Sequence, residues 1–209
     1  AVEKDVGRRL ESDQCEEYYW DKEVVMAAIV DDRHALECAS DELKADKEVV
    51  MAAVSNDNGW AFVLQYASDE LKGDKEVVMA AVANDGYALE YASDELKADK
   101  EVVMAAVTNG GPALQYASDE LKADKEVAMA AVANFWYGGS ALEYASDELK
   151  ADKEVVMAAV TSQGYALEYA SDELKADKEV VIAAVTNEGS ALQCASDGLK
   201  ADKEVVMAA

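Results

Sequence analysis

The chain has 209 residues, 51 % of them apolar, and sets 19 Lys plus Arg against 44 Asp plus Glu for a formal net charge of −25. That charge argues against nucleic acid, whose phosphates are held by clustered Lys and Arg, and the apolar share argues against an acidic disordered tail. No run approaches the ~20 apolar residues that cross a bilayer, and one His with three Cys leaves little from which to build a metal, cofactor or nucleophile site.

In chain order, residues 1–20 stand apart as an N-terminal cap or extension. Val2, Val6 and Leu10 recur every four residues beside Lys4, Arg8 and Arg9, a pattern compatible with a capping helix, and Cys15 to Trp20 replaces a segment that later copies share. From Asp21 onward one unit repeats. Asp-Lys-Glu-Val begins at Asp21, Asp46, Asp74, Asp99, Asp124, Asp152, Asp177 and Asp202, with separations of 25, 28, 25, 25, 28, 25 and 25 residues. Between these copies lies Ala-Leu-Glu/Gln-Tyr/Cys-Ala-Ser-Asp, as in Ala88 to Asp94 and Ala141 to Asp147.

Each unit reads as two helical pieces. Asp99 is an N-cap for an apolar helix, Glu101 suits the positive end of its dipole, and Asn109-Gly110 supplies a left-handed stop. The centre of this helix is apolar nearly all round, as expected of a helix buried between neighbours. Pro112 then marks a second start, and Leu114, Ala117 and Leu121 share one face. Whether that second piece runs through Ser118 or breaks there into a separate single turn is open; crowding within 25 residues favours the break. A unit this short buries its apolar side only against the next copy. The expected fold is an all-α solenoid of about eight 25-residue repeats over residues 21–209, the last incomplete, with an α-helix plus a short helix or 3₁₀ turn in each.

The run Ala141 to Val160 (Ala-Leu-Glu-Tyr-Ala-Ser-Asp-Glu-Leu-Lys-Ala-Asp-Lys-Glu-Val-Val-Met-Ala-Ala-Val) resembles the short helical repeats of the family called domain of unknown function 4116. The resemblance covers roughly Asp21 to Ala209 and implies a tandem-repeat helical protein; no functional residues carry over with it. Because the family occurs in bacteria and in unicellular eukaryotes, including algae, the resemblance allows an accessory role in an organelle assembly such as a photosynthetic complex.

Repetition also accounts for features that would otherwise look functional. The seven Met share one position, with Ile182 in the remaining copy, which reads as a core stripe. Cys38 and Cys194 replace the Tyr of other copies and lie too many units apart to pair. With no Cys-x-x-Cys motif, a soluble reducing compartment, cytoplasm or organelle matrix, is favoured. His34 falls in a connector and reads as a surface turn residue. The acidity belongs to the repeat as well. It reads as a solvated edge or, more sharply, as a docking ladder for basic protein surfaces. Weak divalent-cation or basic-ligand binding is the alternative.

Two connectors break the rule, having eight residues where the others have five: Ser55 to Phe62 and Ala133 to Ser140. They contain both Phe and two of the three Trp of the chain. Insertions in a solenoid often lie on the binding face, and aromatic residues dominate interface energetics. Trp60 with Phe62, and Phe135 with Trp136 and Tyr137, are therefore candidate anchors for a protein partner; equally, these rings can cover the apolar edge of the adjoining unit. At the far end Val205 to Ala209 stops inside a helix that continues in other copies, which leads one to expect further chain or a covering subunit. The function expected is that of a non-catalytic, protein-binding repeat scaffold, a peripheral or accessory subunit of a larger assembly.

Overall fold

The computed structural model describes residues 21–31, 33–55, 61–134 and 138–209. They fall into two compact units divided between Ser93 and Asp94, and each is a stretch of α-solenoid in which every described element is helical. The proposed cap within residues 1–20 lies outside the described residues.

Three elements recur in each repeat. A 3₁₀ segment such as Gly111–Tyr116 leads to a one-turn helix, Asp119–Lys122, and then to a longer helix, Lys125–Val132. The break expected at Ser118 is present. The Ser118 hydroxyl accepts from the Leu121 N–H, capping the short turn, and the 3₁₀ segment lies before the break. Asp caps the long helix as its sequence requires: a side-chain oxygen of Asp99 accepts from the N–H groups of Glu101 and Val102, and Asp152 does the same for Glu154 and Val155.

The helix stop differs from expectation. Gly110 has φ −152° and ψ 100°, which is extended and not left-handed. Asp85, Gln163 and Glu188 hold the same position with the same conformation, since the chain must straighten there to enter the 3₁₀ segment. The glycine that matters is the next one. A Cβ on Gly111 would stand 2.5 Å from the Ala131 carbonyl oxygen, and one on Gly164 would stand 2.8 Å from Glu188 Cβ and closer still to the Ala184 oxygen. Glycine is used there so that the helix end of the following repeat can pack on bare backbone.

The core is built from a few positions repeated. Val102, Val103, Ala106 and Val107 of one long helix, with Ala113 and Leu114 of the adjoining 3₁₀ segment, are fully buried, and Leu121 anchors the single turn at 8 % exposure. Burial of Leu114, Ala117 and Leu121 together agrees with their common face in the sequence. Successive long helices pack side by side: Lys100–Asn109 on Lys125–Val132, then Lys153–Ser162, then Lys178–Asn187. The methionines depart from the expected core stripe. Met51, Met79, Met104, Met129 and Met157 are only half-buried, as is Ile182, because the valines fill the space between helices and leave Met on the outward side.

Candidate interaction surface

The polar groups fall into those that join repeats and those left facing outward. The Ser118 N–H donates to the Lys97 carbonyl at 2.9 Å, Ser171 to Lys150 at 2.9 Å and Ser196 to Lys175 at 2.9 Å, so each short turn is tied by its backbone to the one before. Asn187 clasps the preceding repeat with both ends of its amide, donating to the Thr161 carbonyl at 2.8 Å and accepting from the Gly164 N–H at 2.9 Å. The Lys of Asp-Lys-Glu makes a third link. Lys100 reaches the Asp and Glu of the next copy, Asp124 and Glu126, each at 2.7 Å. Lys153 reaches Asp177 and Glu179, and in the first unit Lys22 reaches Asp46 and Glu48.

The Asp of such a rung has two tasks, as at Asp124: one oxygen caps its own helix and the other takes the incoming ammonium. The hydrogen bond from Lys100 holds the Asp124 carboxyl below its ordinary range despite some desolvation, and Lys125 does the same for Asp152. The lysines shift upward in return, Lys100 chiefly through Asp124 and then Glu126. The acidic ladder of the sequence therefore divides. Its Asp-Lys-Glu carboxylates are engaged between repeats, whereas Asp69, Asp119 and Asp197 of the short turns are fully exposed, within only 3.6–3.8 Å of a local lysine.

The extra residues of the long connectors leave these links unchanged. Lys47–Asp74 and Lys125–Asp152 span 27 residues at 2.7 Å, the distance found for Lys100–Asp124 across 24. Of the candidate anchors, Trp60, Phe135, Trp136 and Tyr137 lie outside the described residues. Phe62 sits in the 3₁₀ segment Ala61–Tyr66, 49 % exposed, with its ring edge-on to Tyr91 of the next repeat at 6.3 Å between centroids. Tyr66 beside it bonds Glu37 of the preceding repeat, and burial together with that carboxylate pushes its hydroxyl up to about 12. In the second long connector the segment Gly138–Tyr144 is α-helical where other copies are 3₁₀.

His34 belongs by its backbone to the 3₁₀ segment Arg33–Leu36; its side chain is outside the described residues. Cys194 is a free thiol, pushed up by burial and then by Glu168, which makes it a poor nucleophile. Cys38 is disulfide-bonded. The expected lack of pairing between these two cysteines stands, but cysteine usage no longer argues for a reducing compartment, because a bond at Cys38 is the kind that persists in oxidising surroundings. Among the described residues no three His, Cys, Asp or Glu side chains are grouped to hold a metal ion, and no helix is long and apolar enough to cross a membrane.

Helical repeats that bury their apolar sides only on neighbours, clasped by the same bonds at each step, define a tandem-repeat α-solenoid protein. The chain belongs to the family described as domain of unknown function 4116, whose model matches it five times, over residues 21–63, 58–97, 99–138, 137–175 and 177–209. These matches are longer than the 25-residue copy: three begin at an Asp-Lys-Glu helix start and two within a long connector. No curated protein and no solved structure matches the chain.

Proposed function

We propose that this protein is a non-catalytic scaffold whose repeats present a recurring surface to protein partners, as an accessory subunit of a larger assembly. One observation carries the reading: the bonds between repeats consume one set of side chains, while the same other set faces outward at each step. The outward set consists of exposed carboxylates on the short turns, as at Asp119 and Asp147, and of apolar side chains on the long helices that are only partly buried, as at Met104 and Met129. The half-exposed ring of Phe62, in the 3₁₀ segment Ala61–Tyr66, adds an aromatic contact of the kind that dominates interface energies.

The cation-binding alternative draws less support, because Asp124, Asp152 and Asp177 already hold an ammonium and a helix N-terminus. Affinity capture of the native protein, followed by identification of co-purifying chains, is the test. A partner retained in fixed stoichiometry is the expected result; recovery of the protein alone overturns the scaffold reading. A saturable calcium heat in calorimetry would favour the alternative.

A further inference from the structure

The outward side of the long helices has a composition that specifies more than a generic interface. Glu126, Met129 and Ala130 of the helix Lys125–Val132, with Ala133 at its C-cap, are spaced i, i+3, i+4 and i+7, so they adjoin on a single strip. The same strip carries Glu101, Met104, Ala105 and Thr108, then Glu154, Met157, Ala158 and Thr161, then Glu179, Ile182, Ala183 and Thr186. Valines on the opposite side, such as Val102 and Val155, are fully buried, whereas Met104, Met129, Met157 and Ile182 are half-buried and the Ala after each is half-buried too. Because these four helices pack side by side, the strips form adjoining rows: apolar along the middle and carboxylate along the helix N-terminal edge.

That edge is negative even with its lysines counted. Lys100, Lys125, Lys153 and Lys178 each face one Asp and one Glu, so every rung retains one uncompensated carboxylate. Glu126, Glu154, Glu179 and Glu204 remain 70–71 % exposed while bridged. Methionine is unbranched and polarizable and fits apolar partners of varied shape, which is why it is over-used on adaptable binding surfaces. Partly accessible Met with an adjoining small Ala on each helix is an apolar surface suited to the apolar side of an amphipathic segment.

We infer that the row Met104, Met129, Met157 and Ile182 docks an amphipathic helix of a partner protein, with an apolar stripe on the methionines and Lys or Arg along the edge that meets Glu126, Glu154 and Glu179. Charge complementarity selects this occupant: an anionic membrane surface or a nucleic acid would meet like charge at each rung. The inference rests on the scaffold reading and adds the surface and the chemistry of the partner.

The test titrates the full chain with two synthetic amphipathic helical peptides sharing one Leu-rich stripe, the first carrying Lys and Arg on its polar side and the second Glu, with fluorescence anisotropy as readout. The basic peptide binds saturably, and the acidic one at least about tenfold more weakly. Met129→Gln with Met157→Gln weakens the basic peptide about tenfold, while Met129→Leu with Met157→Leu retains binding and shows that the strip needs apolarity and not sulfur. Glu126→Gln with Glu154→Gln flattens the salt dependence. Equal binding of both peptides, binding of neither, or a basic-peptide affinity that follows the Glu variants but ignores the Met129→Gln and Met157→Gln pair would each overturn the inference. If native capture retains a stoichiometric subunit that the Gln pair holds undiminished, this placement fails while the scaffold reading stands.

Discussion

The two sides of a long helix use the same small alphabet for opposite ends. On the inner side of Lys153–Ser162, Val155, Val156, Ala159 and Val160 are completely buried, and β-branched or small residues there pack without rotamer choice. On the outer side Glu154 is exposed and Met157 and Ala158 are only partly buried, and the hydrophobic residue chosen is the flexible one. The difference teaches that apolar content alone does not mark the core of a short helical repeat; residue shape does. Substitutions separate the two sides by size of effect.

The inner side should respond most. Leu167→Ala removes a fully buried side chain of the 3₁₀ segment and is expected to cost about 2–5 kcal/mol by urea unfolding, whereas Met157→Leu on the outer side should shift the midpoint hardly at all. A loss at Met157 comparable to that at Leu167 would break the comparison. Next in size is the close approach between repeats. Gly164→Ala forces a Cβ against the Ala184 oxygen and Glu188 Cβ, and a loss of about 1–3 kcal/mol is expected from overpacking; full tolerance would mean that the repeats need not sit so tightly.

The rung residues come last and carry a pH signature. Asp152→Ala loses the cap as well as the Lys125 bridge and should cost about 1 kcal/mol, while Asp152→Asn keeps a capping oxygen and should cost less. The carboxyls of Asp124, Asp152 and Asp177 are lowered by their lysines, so their contribution is present above the unfolded carboxyl value of about 3.9 and lost as pH falls through the lower folded values. The lysines are raised, so theirs is present below about 10.4 and lost as pH rises through the folded values. Thermal melts against pH should therefore fall at both ends, and Asp152→Asn should flatten the acid limb. An unchanged acid limb would show that the bridges add nothing to stability.

Much of this architecture was legible in the sequence because a repeat exposes its own rules. Asp at the helix start, Ser118 at the break and Leu114, Ala117 and Leu121 on one face each depend on local chemistry, and local chemistry is what a single chain displays. What the sequence hid depends on the neighbour. No local signal singles out Gly111 or Gly164, yet a Cβ at either would meet the backbone of the next repeat; Met129 reads as core because the side facing a neighbour and the side facing solvent are both apolar. The rung from Lys100 to Asp124 had a signal that was available: a basic residue recurring at a constant offset from an acidic pair, 24 residues in short copies and 27 in long ones. Of the five candidate aromatic anchors, only Phe62 falls among the described residues, and its edge-on contact with Tyr91 coexists with a half-exposed ring.

The central claim is that a repeat derives its stability from the copies beside it. Amide hydrogen exchange on Leu114→Ala measures this most directly within residues 94–209. Protection should fall first and furthest in Gly111–Tyr116 and the long helices flanking it, Lys100–Asn109 and Lys125–Val132, and should stay close to wild type in Lys178–Asn187. A uniform fall across all these helices would contradict the account, because it would mean that distant repeats share one cooperative interior.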